Sequence, residues 1–99
     1  MHTVTAIIRV KPGAEHAMRD GLLAVAAHAR ANEPGTIGYF VSQDGGDPCL
    51  FTTYERYADQ AAMDSHNGSA VVARFFETAA PLLDGAVTLV MGAELSTTG

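Results

Sequence analysis

Tryptophan is missing from the chain, cysteine occurs once, and lysine and arginine together number six against eleven acidic residues. Each shortage removes a class of function. The six cations (Arg9, Lys11, Arg19, Arg30, Arg56 and Arg74) are scattered, so no basic stripe exists to displace counterions from phosphates. With a net charge of −5, neither a nucleic acid nor an anionic membrane surface is an expected partner. The lone Cys49 forbids an intrachain disulfide, and beside Leu50 and Phe51 it reads as a small hydrophobe rather than a nucleophilic thiolate. The longest unbroken apolar run, Leu22 to Ala27, falls far short of the ~20 residues that span a bilayer. Met1-His2-Thr3 leads straight into a strand pattern with no basic segment before an apolar one, so no signal peptide is expected and the expected location is cytoplasmic. No glycine-rich loop has dinucleotide or P-loop spacing, and Gly45-Gly46 reads as part of a hairpin. Ser65 and Ser69 lack the context of a nucleophile elbow. No HxxxH, CxxC or carboxylate cluster has metal-ligand spacing, so no metal is expected.

What remains is an ordinary folded composition, 47% apolar and 17% charged over 99 residues. That length holds one domain, expected over residues 1–95, with a frayed tail from Ser96 to Gly99. A domain so small has a thin core, which a partner subunit would thicken.

Val4, Ala6, Ile8 and Val10 alternate with Thr5, Ile7 and Arg9, the period of a strand, and Lys11-Pro12-Gly13 stops it. From Ala14 to about Asn32, Met18, Leu22, Val25 and Ala29 recur at helical steps, and Glu33-Pro34-Gly35 ends that helix. Ile37, Tyr39 and Val41 alternate in a second strand, Thr36 to Ser42. The turn Asp44-Gly45-Gly46-Asp47-Pro48 predicts a hairpin to a third strand, Cys49 to Arg56. Asp59 is a candidate cap for a short helix ending near His66; Asn67-Gly68 breaks it, and Ser69 caps another. Val72, Phe75, Phe76, Ala79 and Leu83 trace that helix's apolar face, and Pro81 shortens its end. Ala86 to about Glu94 closes the chain as a fourth strand.

The order β-α-β-β-α-α-β is the ferredoxin-like split βαβ pattern, an α+β fold with a four-stranded antiparallel sheet covered by helices on one face. Three strands are apolar at both parities: Ile7 beside Ile8, Phe40 beside Val41, and Leu89 beside Val90 and Met91. A sheet wetted on one side alternates cleanly, so the second face is expected to be buried against another copy of the chain.

Glu33-Pro34-Gly35-Thr36-Ile37-Gly38-Tyr39, then Tyr54-Glu55-Arg56-Tyr57, then Ala61-Ala62-Met63-Asp64-Ser65-His66, together with the early Lys11-Pro12-Gly13 stop, resemble the antibiotic biosynthesis monooxygenase family over nearly the whole chain. The resemblance implies a ferredoxin-like subunit that pairs through its sheet into a dimeric α/β-barrel. It also implies oxidation of an electron-rich phenol, anthrone or hydroquinone by molecular oxygen, with no cofactor. Two departures matter. Tyr57 stands where members often carry Trp, and Val71 where they often carry a second His, which argues against the haem chemistry of related degraders.

Such a reaction needs a dry aromatic pocket, a base, and donors for the substrate anion. His66 is the candidate base, since imidazole changes charge near neutral pH and His66 shares a helix face with Ala62 and Met63. Glu55 is expected to hold its tautomer. Tyr39 and Tyr54 are candidate donors to a substrate oxygen, although Tyr54 has the opposite parity to Glu55. Arg56 and Arg74 are candidate partners of a phenolate. His28 has no assigned role, His2 and His16 read as exposed, and the methionines read as packing residues. The alternative function is a non-catalytic, cyclase-like accessory dimer that binds an aromatic ligand. In that reading the His–carboxylate pair merely locks a helix to the sheet.

Overall fold

A computed structural model describes residues 1–96; Thr97 to Gly99 of the expected tail lie outside the described residues. The elements follow the predicted order: β1 (His2–Arg9), α1 (Glu15–Asn32), β2 (Thr36–Gln43), β3 (Leu50–Tyr57), α2 (Gln60–Asn67), α3 (Ala70–Ala79), a 3-10 turn (Ala80–Leu82) and β4 (Thr88–Ala93). The strands form one antiparallel sheet in the order β2-β3-β1-β4, the ferredoxin-like arrangement, with the helices on one face.

Local chemistry explains the boundaries. Glu15 lies in the first turn of α1, where its carboxylate accepts the Gly13 N–H at 2.7 Å and complements the helix dipole. Pro34 cannot continue that helix. Asp59 caps α2 by accepting the Ala62 N–H at 2.8 Å, and Ser69 caps α3 by accepting the Val72 N–H at 3.1 Å. Pro81 tightens the chain after α3 into the 3-10 turn. Leu83 therefore leaves the helical face assigned to it and bridges to Val10, which itself lies beyond β1. β4 is shorter than expected at both ends. β2 carries a register shift between Thr36 and Gly38, so Ile37 sits in an irregularity and is exposed rather than alternating with Tyr39.

The core lies between sheet and helices. Ala6, Ile8 and Val10 meet Met18 and Leu22 of α1, Phe51 of β3 and Ala79 of α3. A smaller cluster joins Val4, Tyr57 and Met63. Gly35 lets α2 approach β2: a Cβ there would stand 2.6 Å from the Ala62 Cβ.

The other face of the sheet exposes Ile7, Phe40, Tyr54 and Val90. Ile7, Phe40 and Val90 are second-parity apolar residues that broke the alternation. Leu89 and Met91 share the parity of Ala6 and Val4 on the helical side, yet remain more than half exposed, so the helices leave the β4 edge uncovered. No helix among the described residues is long and apolar enough to cross a membrane.

Candidate active site

A cavity of about 320 Å³ opens between the helices and the sheet, at the low end of ligand-pocket sizes and with room for about two aromatic rings. Its walls come from β1, α1 and α3, with Leu89 and Met91 of β4 at one side. Phe76, Leu89 and Met91 also line it while standing 61%, 56% and 63% exposed, which marks the mouth. The groups with polar atoms on its wall are Tyr39, Thr53, Glu55, His66 and Asn67. They are neighbours: Tyr39 pairs with Glu55 across β2 and β3, and the Tyr39 and His66 rings lie 5.4 Å apart. The site is thus greasy along most of its length and polar in one region.

His66 occupies the last turn of α2, on the inward face shared with Met63, and its side chain is 4% exposed. Its Nδ1 lies 2.6 Å from Oε1 of Glu33. A carboxylate oxygen only accepts, so Nδ1 carries the proton and Nε2 keeps its lone pair in the neutral ring. Nε2 has no hydrogen-bond partner among the described residues. Tyr39 and Tyr57 flank the ring, each with centroids 5.4 Å away.

Glu55 is therefore not the partner expected for His66. Its Oε2 accepts from the Thr53 hydroxyl at 2.7 Å and its Oε1 from Tyr57 at 2.5 Å. Both donors come from alternate residues of β3, which share one face of the strand by parity. Tyr57, in the place of the expected tryptophan, is fully buried. Its phenol is pushed far up by burial and then by its hydrogen bond to Glu55, so it remains an O–H donor. Burial, then the Glu55 and Glu33 carboxylates, likewise raise the Tyr39 phenol. That hydroxyl makes no hydrogen bond among the described residues, which leaves it free to donate to a ligand.

Tyr54 and Arg56 stand on the opposite face of the sheet. There Glu94 accepts from the Tyr54 hydroxyl at 2.9 Å and from the Arg56 guanidinium through two bonds of 2.8 Å. The guanidinium and then the phenol hold the Glu94 carboxyl below its usual range. Neither residue lines the cavity. Arg74 is exposed on α3, beside Gly21 and Val71, and is not on the cavity wall. Cys49 is half-buried with its Sγ 3.7 Å from a Glu15 oxygen, and burial and then that carboxylate push the thiol up, away from thiolate character.

In the sequence Glu33 reads as a helix stop and as part of the family-like Glu33-Pro34-Gly35 string, with no role of its own in the site. It is a nearly buried carboxylate that also accepts from the Thr36 hydroxyl at 2.8 Å, and His28 Nε2 lies 3.4 Å from its other oxygen. One sequence signal pointed to it: a carboxylate at the C-terminal end of α1 opposes the helix dipole and needs a compensating partner. Among the described residues no three His, Cys, Asp or Glu side chains converge as a metal site.

The profile of the family described as antibiotic biosynthesis monooxygenase matches residues 1–78, from β1 through most of α3. The chain belongs to that family. Among solved structures, PA3566 from Pseudomonas aeruginosa is similar at 30% identity and a TM-score of 0.86, over 96% of this chain and 94% of that one. Rv0793 from Mycobacterium tuberculosis is similar at 26% identity and a TM-score of 0.90, over 99% and 98%. A Nitrosomonas europaea protein named for the same family has a TM-score of 0.91 over 97% and 100%, at an identity of 21% that speaks to fold alone. These structures extend the likeness through β4, beyond the stretch the family profile covers. No curated protein matches the sequence. The monooxygenase-type fold is thus established, and the chemistry of this member rests on its own site.

Proposed function

We propose that this antibiotic biosynthesis monooxygenase family member is a cofactor-independent monooxygenase of an electron-rich phenol, anthrone or hydroquinone, with His66 as the base. The observation that carries the proposal is the His66–Glu33 pair. A carboxylate bound at Nδ1 presents an unprotonated Nε2 on the wall of an apolar cavity, and the Glu33 charge stabilises the imidazolium formed when Nε2 takes a proton.

In this reading the aromatic rings lie among Leu22, Ala79 and Leu83, with the acidic group of the substrate against His66 and Tyr39. Nε2 removes the proton and the Tyr39 hydroxyl donates to the substrate oxygen, where the negative charge resides. The anion gives one electron to molecular oxygen, the two radicals join through a carbon–oxygen bond, and the peroxide formed collapses to a carbonyl. One oxygen atom enters the product, the other leaves in water, and the substrate supplies all the electrons. A cavity poor in water protects the anion from reprotonation.

The protein acts as a homodimer through the open sheet face, where Ile7, Phe40 and Val90 would otherwise stay wet. The test is oxygen uptake by metal-free protein across a panel of anthrones and hydroquinones. A rate about 100-fold lower in His66→Ala is expected. An equal rate in the variant rejects His66 as base. A thermal shift by a quinone without oxygen uptake across the panel replaces the enzyme with an aromatic-ligand-binding protein.

A further inference from the structure

Glu33 faces two imidazoles. His66 occupies Oε1, together with the Thr36 hydroxyl, while Oε2 is buried and has no hydrogen-bond partner among the described residues. Nε2 of His28, on the last turns of α1, stands 3.4 Å from Oε2, a few tenths of an ångström beyond a good hydrogen bond. The His28 side chain is 28% exposed, so it stands between solvent and the carboxylate.

The tautomer of His28 follows from its own neighbour. Asn32 Nδ2 lies 3.2 Å from His28 Nδ1 and 3.2 Å from the His28 carbonyl oxygen. Only the amide nitrogen satisfies both, because a flipped amide would set its oxygen against a carbonyl. Nδ1 therefore accepts, and the neutral ring carries its proton on Nε2, the nitrogen that stands 3.4 Å from Glu33 Oε2. Asn32 thus donates to His28, and Glu33 accepts from Nδ1 of His66; between them His28 Nε2 stands 3.4 Å from Oε2, a polar approach just short of a hydrogen bond. The far end of this row of side chains is the His66 Nε2 lone pair in the cavity.

We propose that His28 is a positioning residue for the reaction, acting through Glu33 to hold His66 in the tautomer that leaves Nε2 free. This rests on the reading of His66 as the base. A neutral imidazole suits the task, because its N–H can close on the second carboxylate oxygen with a small shift and adds no charge that competes with the imidazolium of His66. Without it, Oε2 loses the imidazole that stands 3.4 Å away, and a carboxyl freer to rotate holds Nδ1 less firmly.

The experiment combines ring ¹⁵N spectra of histidine-labelled full-length protein with oxygen uptake, for the native chain, His28→Leu and His28→Gln. The native His66 is expected to show the pure Nδ1–H tautomer. His28→Leu is expected to populate the Nε2–H form of His66 and to lower kcat about tenfold at unchanged KM. His28→Gln, whose amide N–H can stand in for Nε2–H, is expected to restore both readouts. A His66 tautomer and kcat unmoved by His28→Leu overturn the proposal, as does a loss that glutamine fails to rescue. If the leucine variant does not fold, His28→Asn, polar but too short to reach Oε2, is read by the same criteria. The spectra separate the two claims: activity surviving in His66→Ala sinks the base, while the His66 tautomer still decides what His28 does.

Discussion

His66 Nδ1 and Glu33 Oε1 stand 2.6 Å apart, a nearly buried contact that ties α2 to the end of α1. The pair fixes which nitrogen of the imidazole carries the proton. Glu33→Gln keeps the shape and reverses that choice, because a glutamine amide can turn its N–H toward Nδ1 and leave the proton on Nε2. Oxygen uptake in this variant is expected to fall about 100-fold with the fold intact by circular dichroism. Glu55→Gln, by contrast, is expected to act mainly on stability, since Glu55 bonds Thr53 and Tyr57 and not His66. Comparable losses of rate in the two variants would mean that the wrong carboxylate has been assigned.

The two phenols near His66 make stability depend on alkaline pH. Both Tyr57 and Tyr39 are raised above the ordinary value of 10.0, chiefly by burial. A raised folded-state value means that the native chain keeps protons the unfolded chain gives up. Their contribution is complete below pH 10 and drains away as pH climbs beyond it. Urea unfolding at a series of pH values is expected to show falling midpoints from about pH 10 upward. Tyr57→Phe is expected to flatten that decline, while costing about 1–2 kcal/mol at neutral pH through the donor lost to Glu55. An equally steep alkaline fall in Tyr57→Phe would assign the effect elsewhere.

Much of this architecture is legible in single residues. The alternation of Val4, Ala6 and Ile8 fixed the buried face of β1, and Asp59 and Ser69 cap the two helices as their residue types suggest. Parity also held more than was taken from it: Tyr54 opposes Glu55, so Tyr54 and Arg56 had to lie on the far face, where Glu94 holds them. The partner of His66 was not readable in this way. Glu33 is 33 positions away, in a turn whose proline and glycine explain the helix stop without any further role. Only the folded packing of α2 onto the start of β2 reveals it. The irregularity at Ile37 was hidden for a similar reason, because pairing partners and not intrinsic preference decide where a strand shifts register.

That packing has a steric key. Gly35 and Ala62 approach so closely that a Cβ on residue 35 would lie 2.6 Å from the alanine methyl. Gly35→Ala is expected to destabilise the fold by about 1–3 kcal/mol, since α2 and β2 must part. The expected loss of rate is larger than stability alone explains, because α2 carries His66 and the β2 turn carries Glu33. Ala62→Gly in the same chain is expected to recover most of the stability, and a double-mutant cycle in urea measures that coupling. Strictly additive effects would show that the two positions do not meet as described.

The open face of the sheet makes the last prediction. Ile7 lies on central β1, 44% exposed, on the face that also presents Phe40 and Val90. A monomer would leave this greasy patch in water, whereas a second sheet laid against it buries the patch. Sedimentation of the native protein at micromolar concentration is expected to give twice the mass of one chain. Ile7→Glu places a charge at the middle of the proposed contact, where burial without a partner is costly, and is expected to give single chains with unchanged secondary structure. Oxygen uptake in that variant then reports whether the mouth of the cavity, beside the exposed Leu89 and Met91 of β4, needs the second subunit as a wall. A native protein that sediments as one chain removes the dimer from the proposal and leaves the His66 site to stand within a single subunit.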